Sequence, residues 1–143
     1  MITKKGLLCF FGVFFICGIS CSQNFQSPST VAKLYYKSMA ENDVSQWMDC
    51  ITNDDAEWIN DQFGKEGANM FLTMFFGASI GIIPDSGNFF KKVKILSESI
   101  DGDIATVTID WPSNLTSFYT PDPLILVKTI GQWKVYLGLD DSF

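Results

Sequence analysis

ILSESIDGDIATVTIDW, residues 95–111, decides the fold. Its second half alternates strictly: Ala105, Val107, Ile109 and Trp111 fall on one side, and Ile104, Thr106, Thr108 and Asp110 on the other. A period of two is that of a half-buried strand. Asp101-Gly102 before it is a two-residue hairpin signal, because glycine reaches the positive φ that such turns need. Upstream, Val93, Ile95 and Ser97 share a face, so a strand is expected from about residue 88. Downstream, LILVKTI and WKVYLGL form a second strand pair joined at Gly131-Gln132, where glycine in the first central position suits a type II′ turn. The helix-facing row is expected to hold Phe89, Val93, Ile95, Ala105, Val107, Ile109, Trp111, Trp133, Val135 and Leu137, with no ionisable group among them. The opposite face is expected to carry Leu96, Glu98, Ile104, Asp110, Leu124, Leu126, Lys128, Ile130, Lys134 and Tyr136, more apolar than a sheet facing water normally is.

Before residue 88 the period is 3.6. Ser27-Pro28 supplies an N-cap and a proline at the first helical position, and Val31, Leu34, Tyr35 and Met39 recur at helical spacing. Asp43 caps a second helix with the stripe Val44, Trp47, Met48 and Ile51. A third begins at the TNDD cap with Trp58, Ile59 and Phe63, is weakened or bent at Gly64 and Gly67, and resumes at Met70, Phe71, Met74 and Phe75. Helices followed by a meander predict an α+β fold, with three N-terminal helices packed on a curved four-stranded antiparallel sheet. At 143 residues and 47% hydrophobic, the chain is long and apolar enough for one packed domain.

Charge narrows the chemistry. The chain has 16 acids and 10 Lys, with no His and no Arg. An acidic chain without arginine has no planar fork for phosphate or guanine and repels a nucleic-acid backbone, which argues against a nucleic-acid partner. Lacking histidine, it lacks the commonest general base and the commonest metal ligand. TNDDAEWIND also lacks the alternating oxygen pattern of a calcium loop, so neither a metal nor a cofactor is expected. Asp54, Asp55, Glu57 and Asp61 are expected on the solvated, dipole-favoured start of a helix.

The N-terminus carries a targeting pattern. Lys4 and Lys5 precede an uncharged, mostly apolar run over residues 6–19, followed by Ser20-Cys21 and then polar sequence. The run is shorter than the roughly 20 residues that span a bilayer as a helix, and its parts are those of a secretory signal. Small Ser20 before Cys21 resembles the lipobox of bacterial lipoproteins. The resemblance implies cleavage before Cys21, acylation of that cysteine, and a membrane partner through its lipid. Ser22, in place of the Asp that favours inner-membrane retention, directs the expectation to the outer membrane of a bacterial envelope. The expected organisation is a signal peptide over residues 1–20, a tether over 21–28 and a domain over 29–143. Beyond residue 20 there are eight lysines against the sixteen acids, a formal charge of −8. Cys50 is then the single thiol left without a lipid, expected as a small hydrophobe in a helix.

The opening SPSTVAKLYYKSMAENDVSQWMDCI and the closing LVKTIGQWKVYLGL resemble the first helices and last hairpin of the cystatin-like, cone-shaped α+β superfamily named after nuclear transport factor two. Within it, the chain is most similar to small bacterial lipoproteins of unknown function. The resemblance implies a cavity enclosed by sheet and helices, on a fold that hosts isomerases, hydrolases and non-catalytic binding domains alike. The uncharged stretch MFLTMFFGASIGIIP, residues 70–84, then belongs to the core or to a pocket wall. Tyr35, Trp58, Phe71, Phe75 and Trp111 are the expected lining for a small apolar ligand. No catalytic residue of the superfamily has a counterpart here. The leading expectation is a lipid-anchored envelope binding or interaction domain, with a homodimer through the outer face of the sheet. The alternatives are an enzyme with a loop-borne acid or base and a self-associating structural module.

Overall fold

The computed structural model describes residues 27–64, 66–80, 85–116 and 121–139. The helices are α1 (Pro28–Glu41), α2 (Val44–Cys50), α3 (Asn53–Phe63), α4 (Gly67–Ile80), α5 (Ser86–Lys91) and the single turn α6 (Ser113–Thr116). The strands are β1 (Ile95–Asp101), β2 (Ile104–Ile109), β3 (Leu124–Thr129) and β4 (Gln132–Val135), in an antiparallel sheet of order β1-β2-β3-β4. The class is α+β, as the two periodicities predict.

The caps explain where the helices start. The Ser27 hydroxyl accepts the Thr30 N–H at 3.2 Å ahead of Pro28, and the Asp43 carboxylate accepts the Gln46 N–H at 3.1 Å. Each satisfies an N–H that the helix itself cannot pair. Asn42 ends α1 in the left-handed region, at φ 54. α1 lies on β1, β2 and β4 and against α2 and α5, so it organises the helical layer on one face of the sheet. Between α2 and α3 the chain touches β4: Thr52 N–H donates to the Val135 carbonyl at 3.0 Å, and Ile51 bridges Val135.

Five helices precede the sheet where three are expected, for two physical reasons. Gly64 takes φ 73, a conformation open to glycine, and separates α3 from α4. At Gly67 an added Cβ would lie 1.9 Å from the Phe63 Cβ, so the two helices meet at a close approach that only glycine permits. The expected strand from residue 88 begins instead at Ile95, and residues 86–91 form α5. Phe90 stacks on Tyr36 of α1 at 5.6 Å between centroids, and Phe89 lies 5.7 Å from Trp111. Phe90 thus packs on α1 and Phe89 on Trp111 just beyond β2, and Phe89 is not part of a sheet row.

Register settles which residues face the helices. Ala105, Leu126 and Val135 are cross-strand partners and all buried, as are Val107, Ile109 and Trp133. Leu126 therefore belongs to the inner face, and Leu124, opposite Val107, and Lys128, opposite Trp133, share its row. The outward assignment of these three is corrected, since partners directly opposed in a ladder lie on one face. β1 is corrected too. A register shift between Ile95 and Ser97 inserts Leu96 and puts Glu98 opposite buried Val107. Glu98 accordingly turns toward the helices, where its carboxylate accepts the Ser29 N–H at 2.8 Å and the Ser29 hydroxyl. The second hairpin turns through Ile130 at φ 50 and Gly131 at φ 74, so glycine is its second central residue, not its first.

Candidate functional site

The residues singled out as pocket lining, where described, are joined to one another through intervening rings. Trp58 lies 6.1 Å from Phe63, Phe63 5.7 Å from Phe71, Phe71 6.0 Å from Trp47, Trp47 6.1 Å from Tyr35, and Tyr35 5.3 Å from Tyr36. Tyr36 meets Trp111 edge-on at 6.2 Å. One chain of rings thus runs from α3 through α4, α2 and α1 to the end of β2, at centroid spacings where aromatic pairs attract beyond their area burial. Tyr35 and Trp47 are buried, whereas Trp58, Phe71 and Trp111 are half-buried. The Phe75 side chain and Cys21 lie outside the described residues.

Within this chain two groups resist ionisation. Burial pushes the Tyr35 hydroxyl well above the ordinary tyrosine range, reinforced by Tyr36 beside it, and burial raises Tyr36 to about 12. The Trp47 indole N–H beside Tyr35 opposes the shift as a hydrogen-bond donor would, yet does not reach hydrogen-bond geometry. Among the described residues Trp47 Nε1 has no hydrogen-bond partner. Cys50 is fully buried and its thiol is raised to about 12 by desolvation, against the opposing pull of Lys134. It stays protonated at neutral pH, which suits the small-hydrophobe role and not that of a nucleophile.

Asp54, Glu57 and Asp61 are exposed on α3, as expected of a solvated acidic helix, whereas Asp55 departs from that expectation. It is 0% exposed. Its carboxylate accepts the Thr52 hydroxyl at 2.6 Å, the Leu137 N–H at 2.8 Å and the Leu139 N–H at 2.9 Å, while Thr52 caps α3 by accepting the Asp55 N–H. The signal was a capping-box spacing, Thr52-Asn53-Asp54-Asp55, in which the acid three residues past the cap points back toward the helix start. What no spacing revealed is that the segment after β4 supplies the donors, 82 and 84 residues away in the chain. Three donors on one buried carboxylate make a structural latch.

Surface openings lie elsewhere. Cavities of about 220 Å³, 430 Å³ and 350 Å³ open on the described surface, beside β4 and the second hairpin, between α2 and α4, and between α1 and α5. None of them is lined by Tyr35, Trp58, Phe71 or Trp111. No group of three His, Cys, Asp or Glu side chains among the described residues is placed to hold a metal ion. No helix among them is long and apolar enough to cross a membrane.

The outer face of the sheet is the other conspicuous surface. Ile104 and Ile125 are 55% and 42% exposed and stand diagonally across the β2–β3 ladder, through the pairs Ile104 with Val127 and Thr106 with Ile125. Leu96 and Ile130 are more than half exposed, at the β1 irregularity and at the second turn.

Comparison with known protein families, with curated proteins and with solved structures gives no match.

Proposed function

We propose that this chain is a lipid-tethered interaction domain of a bacterial envelope, anchored through Cys21 and engaging a second copy of itself through the outer face of its sheet. The uncovered apolar row of Ile104, Val127 and Ile125 carries this reading. A two-layer α+β fold buries one sheet face under helices, and a solvated second face ordinarily alternates to polar side chains. Here the outer row keeps exposed isoleucines on adjacent strands. The resemblance to the cone-shaped, cystatin-like superfamily of nuclear transport factor two supports the same partner, because related domains often dimerise through this surface. The interior supports a non-catalytic role: its buried carboxylate is occupied by three donors and its buried thiol is held protonated. The anchor rests on the basic start, the short apolar run and Ser20-Cys21.

Fatty-acid labelling and fractionation test the anchor. The native chain incorporates labelled fatty acid and pellets with membranes, and Cys21→Ala abolishes the label. Equal labelling of the two forms refutes the anchor. Sedimentation of the Cys21→Ala chain across a concentration series tests the interface, with a dimer expected.

A further inference from the structure

The lysines are distributed unevenly over the surface. Of the eight that follow residue 20, Lys33, Lys37, Lys91 and Lys92 line one open depression of about 350 Å³, with Thr30, Leu34 and Val93 between them. Lys33 and Lys37 are one helical turn apart on α1, hence on one face, and Lys91 and Lys92 stand where α5 ends against α1. No acid is among the described residues that line the depression. The ion pair described for these lysines is Lys37 with Glu41, at 4.0 Å between two well-exposed groups, a contact that neutralises little. Four cations are therefore gathered on a chain that is otherwise strongly acidic. Like charges at such spacing repel, so folding alone gives no reason to gather them.

Position gives one. The depression includes Thr30, within the first turn of α1, so it lies next to the point where the tether joins the domain. Seven residues from Cys21 to Ser27 reach at most roughly 25 Å at about 3.3–3.6 Å each. We propose that the lysine-lined depression between α1 and α5 is a docking surface for the anionic headgroups of the bilayer, which turns this face of the tethered domain toward the membrane. The proposal rests on the anchoring at Cys21 put forward above. An anionic bilayer attracts lysines near its surface, each strengthening binding several-fold, and repels the acids elsewhere on the domain. Both forces select the same orientation. A lysine ammonium binds phosphate as a point charge, without the bidentate geometry that arginine would impose. A basic patch is also the second signal by which a lipid anchor is commonly reinforced.

The test uses the full chain in nanodiscs of phosphatidylcholine alone or of phosphatidylcholine mixed with phosphatidylglycerol, with lysine acetylation rates read by mass spectrometry. Lys33, Lys37, Lys91 and Lys92 are expected to react several-fold more slowly in the anionic discs, the protection fading at high salt, while Lys128 reacts equally in both. Lys33→Glu with Lys92→Glu, two exposed changes, should restore the rates at Lys37 and Lys91. Equal rates in the two kinds of disc overturn the proposal. So does equal slowing in zwitterionic discs on adding inorganic phosphate, which would assign the depression to a small soluble anion. If the chain stays with neither disc, the anchor itself is refuted. The patch is then judged by whether anionic vesicles alone protect the same four lysines of the full chain, and absence of protection overturns it.

Discussion

The two faces of the sheet are built from similar residues and meet opposite fates. On the inner face Ala105, Val107, Leu126 and Val135 are each at most 1% exposed beneath α1 and α2. On the outer face Ile104 and Ile125 are also β-branched and apolar, yet stay open to solvent. Hydrophobicity alone does not bury a row. A row is buried where a second layer reaches it, and here the helical layer, through α1 and α2, reaches one side only. The inner face holds the fold together, and the outer face is left available for a partner.

Trp47 gives the sharpest way to break that contrast. It is fully buried between Tyr35 and Phe71. Trp47→Ala should remove about 3–5 kcal/mol, a large share of the ~5–15 kcal/mol that holds a domain folded. Urea unfolding measures it, and a loss no larger than that of a surface change would mean that the helical layer does not own the core. Trp47→Phe should cost much less than Trp47→Ala, because it keeps a ring in place and removes the Nε1 donor that has no described partner.

Next in size is the latch at the sheet's edge. Asp55→Ala strands the Leu137 and Leu139 N–H groups, each of which costs about 1–3 kcal/mol if buried without an acceptor. Amide exchange at Leu137 and Leu139 should lose its protection in this variant. Glu98→Ala offers the contrast of an exposed carboxylate accepting at the start of α1, and should cost no more than about 1 kcal/mol.

Alkaline pH sharpens the contrast without mutation. Tyr36 is held near 12 against an ordinary 10.0, and the Cys50 thiol near 12 against 9.0. Folding therefore favours their protonated forms. Their contribution to stability is full below the unfolded values and declines as pH rises from about 9 toward 12, because the unfolded chain releases these protons first. The expected result is a falling unfolding midpoint across that window, together with a Cys50 that reacts with thiol reagents at neutral pH only after denaturation. Rapid labelling of the native protein would place Cys50 at the surface.

How much of this was legible in the sequence follows from the range of each interaction. The caps at Ser27, Asp43 and Thr52 are local and were readable, as was the alternation of β2, whose pattern has a single consistent phase. Face assignment failed where it depended on partners. Leu126 alternates equally well in either phase, and only pairing with Ala105 and Val135 chooses between them. In β1 one inserted residue, Leu96, reversed everything after it, including Glu98. Phe89-Phe90 carries no period at all, and its helix is fixed by Tyr36 and Trp111 from distant segments. The site was legible to the same degree: its rings were nameable one by one, whereas their mutual contacts and the donors to Asp55 are long-range.

The smallest change in stability belongs to the outer face, and there it carries the most functional weight. Ile104→Lys with Ile125→Glu puts opposite charges at diagonal positions of the β2–β3 ladder, where neither native side chain touches the buried core. Surface substitutions away from caps and buried networks usually stay within about 0.5 kcal/mol, so the doubly substituted domain should unfold nearly as the native one does. Its association should not survive, since the contact loses the apolar area that drives docking and would have to strip water from two charges. Sedimentation of both forms, each without its acyl cysteine, decides the matter. A native dimer that becomes a folded monomer establishes the outer face as the interface. A native chain that is already monomeric at high concentration removes self-association, and a dimer that persists in the variant moves the contact to another surface.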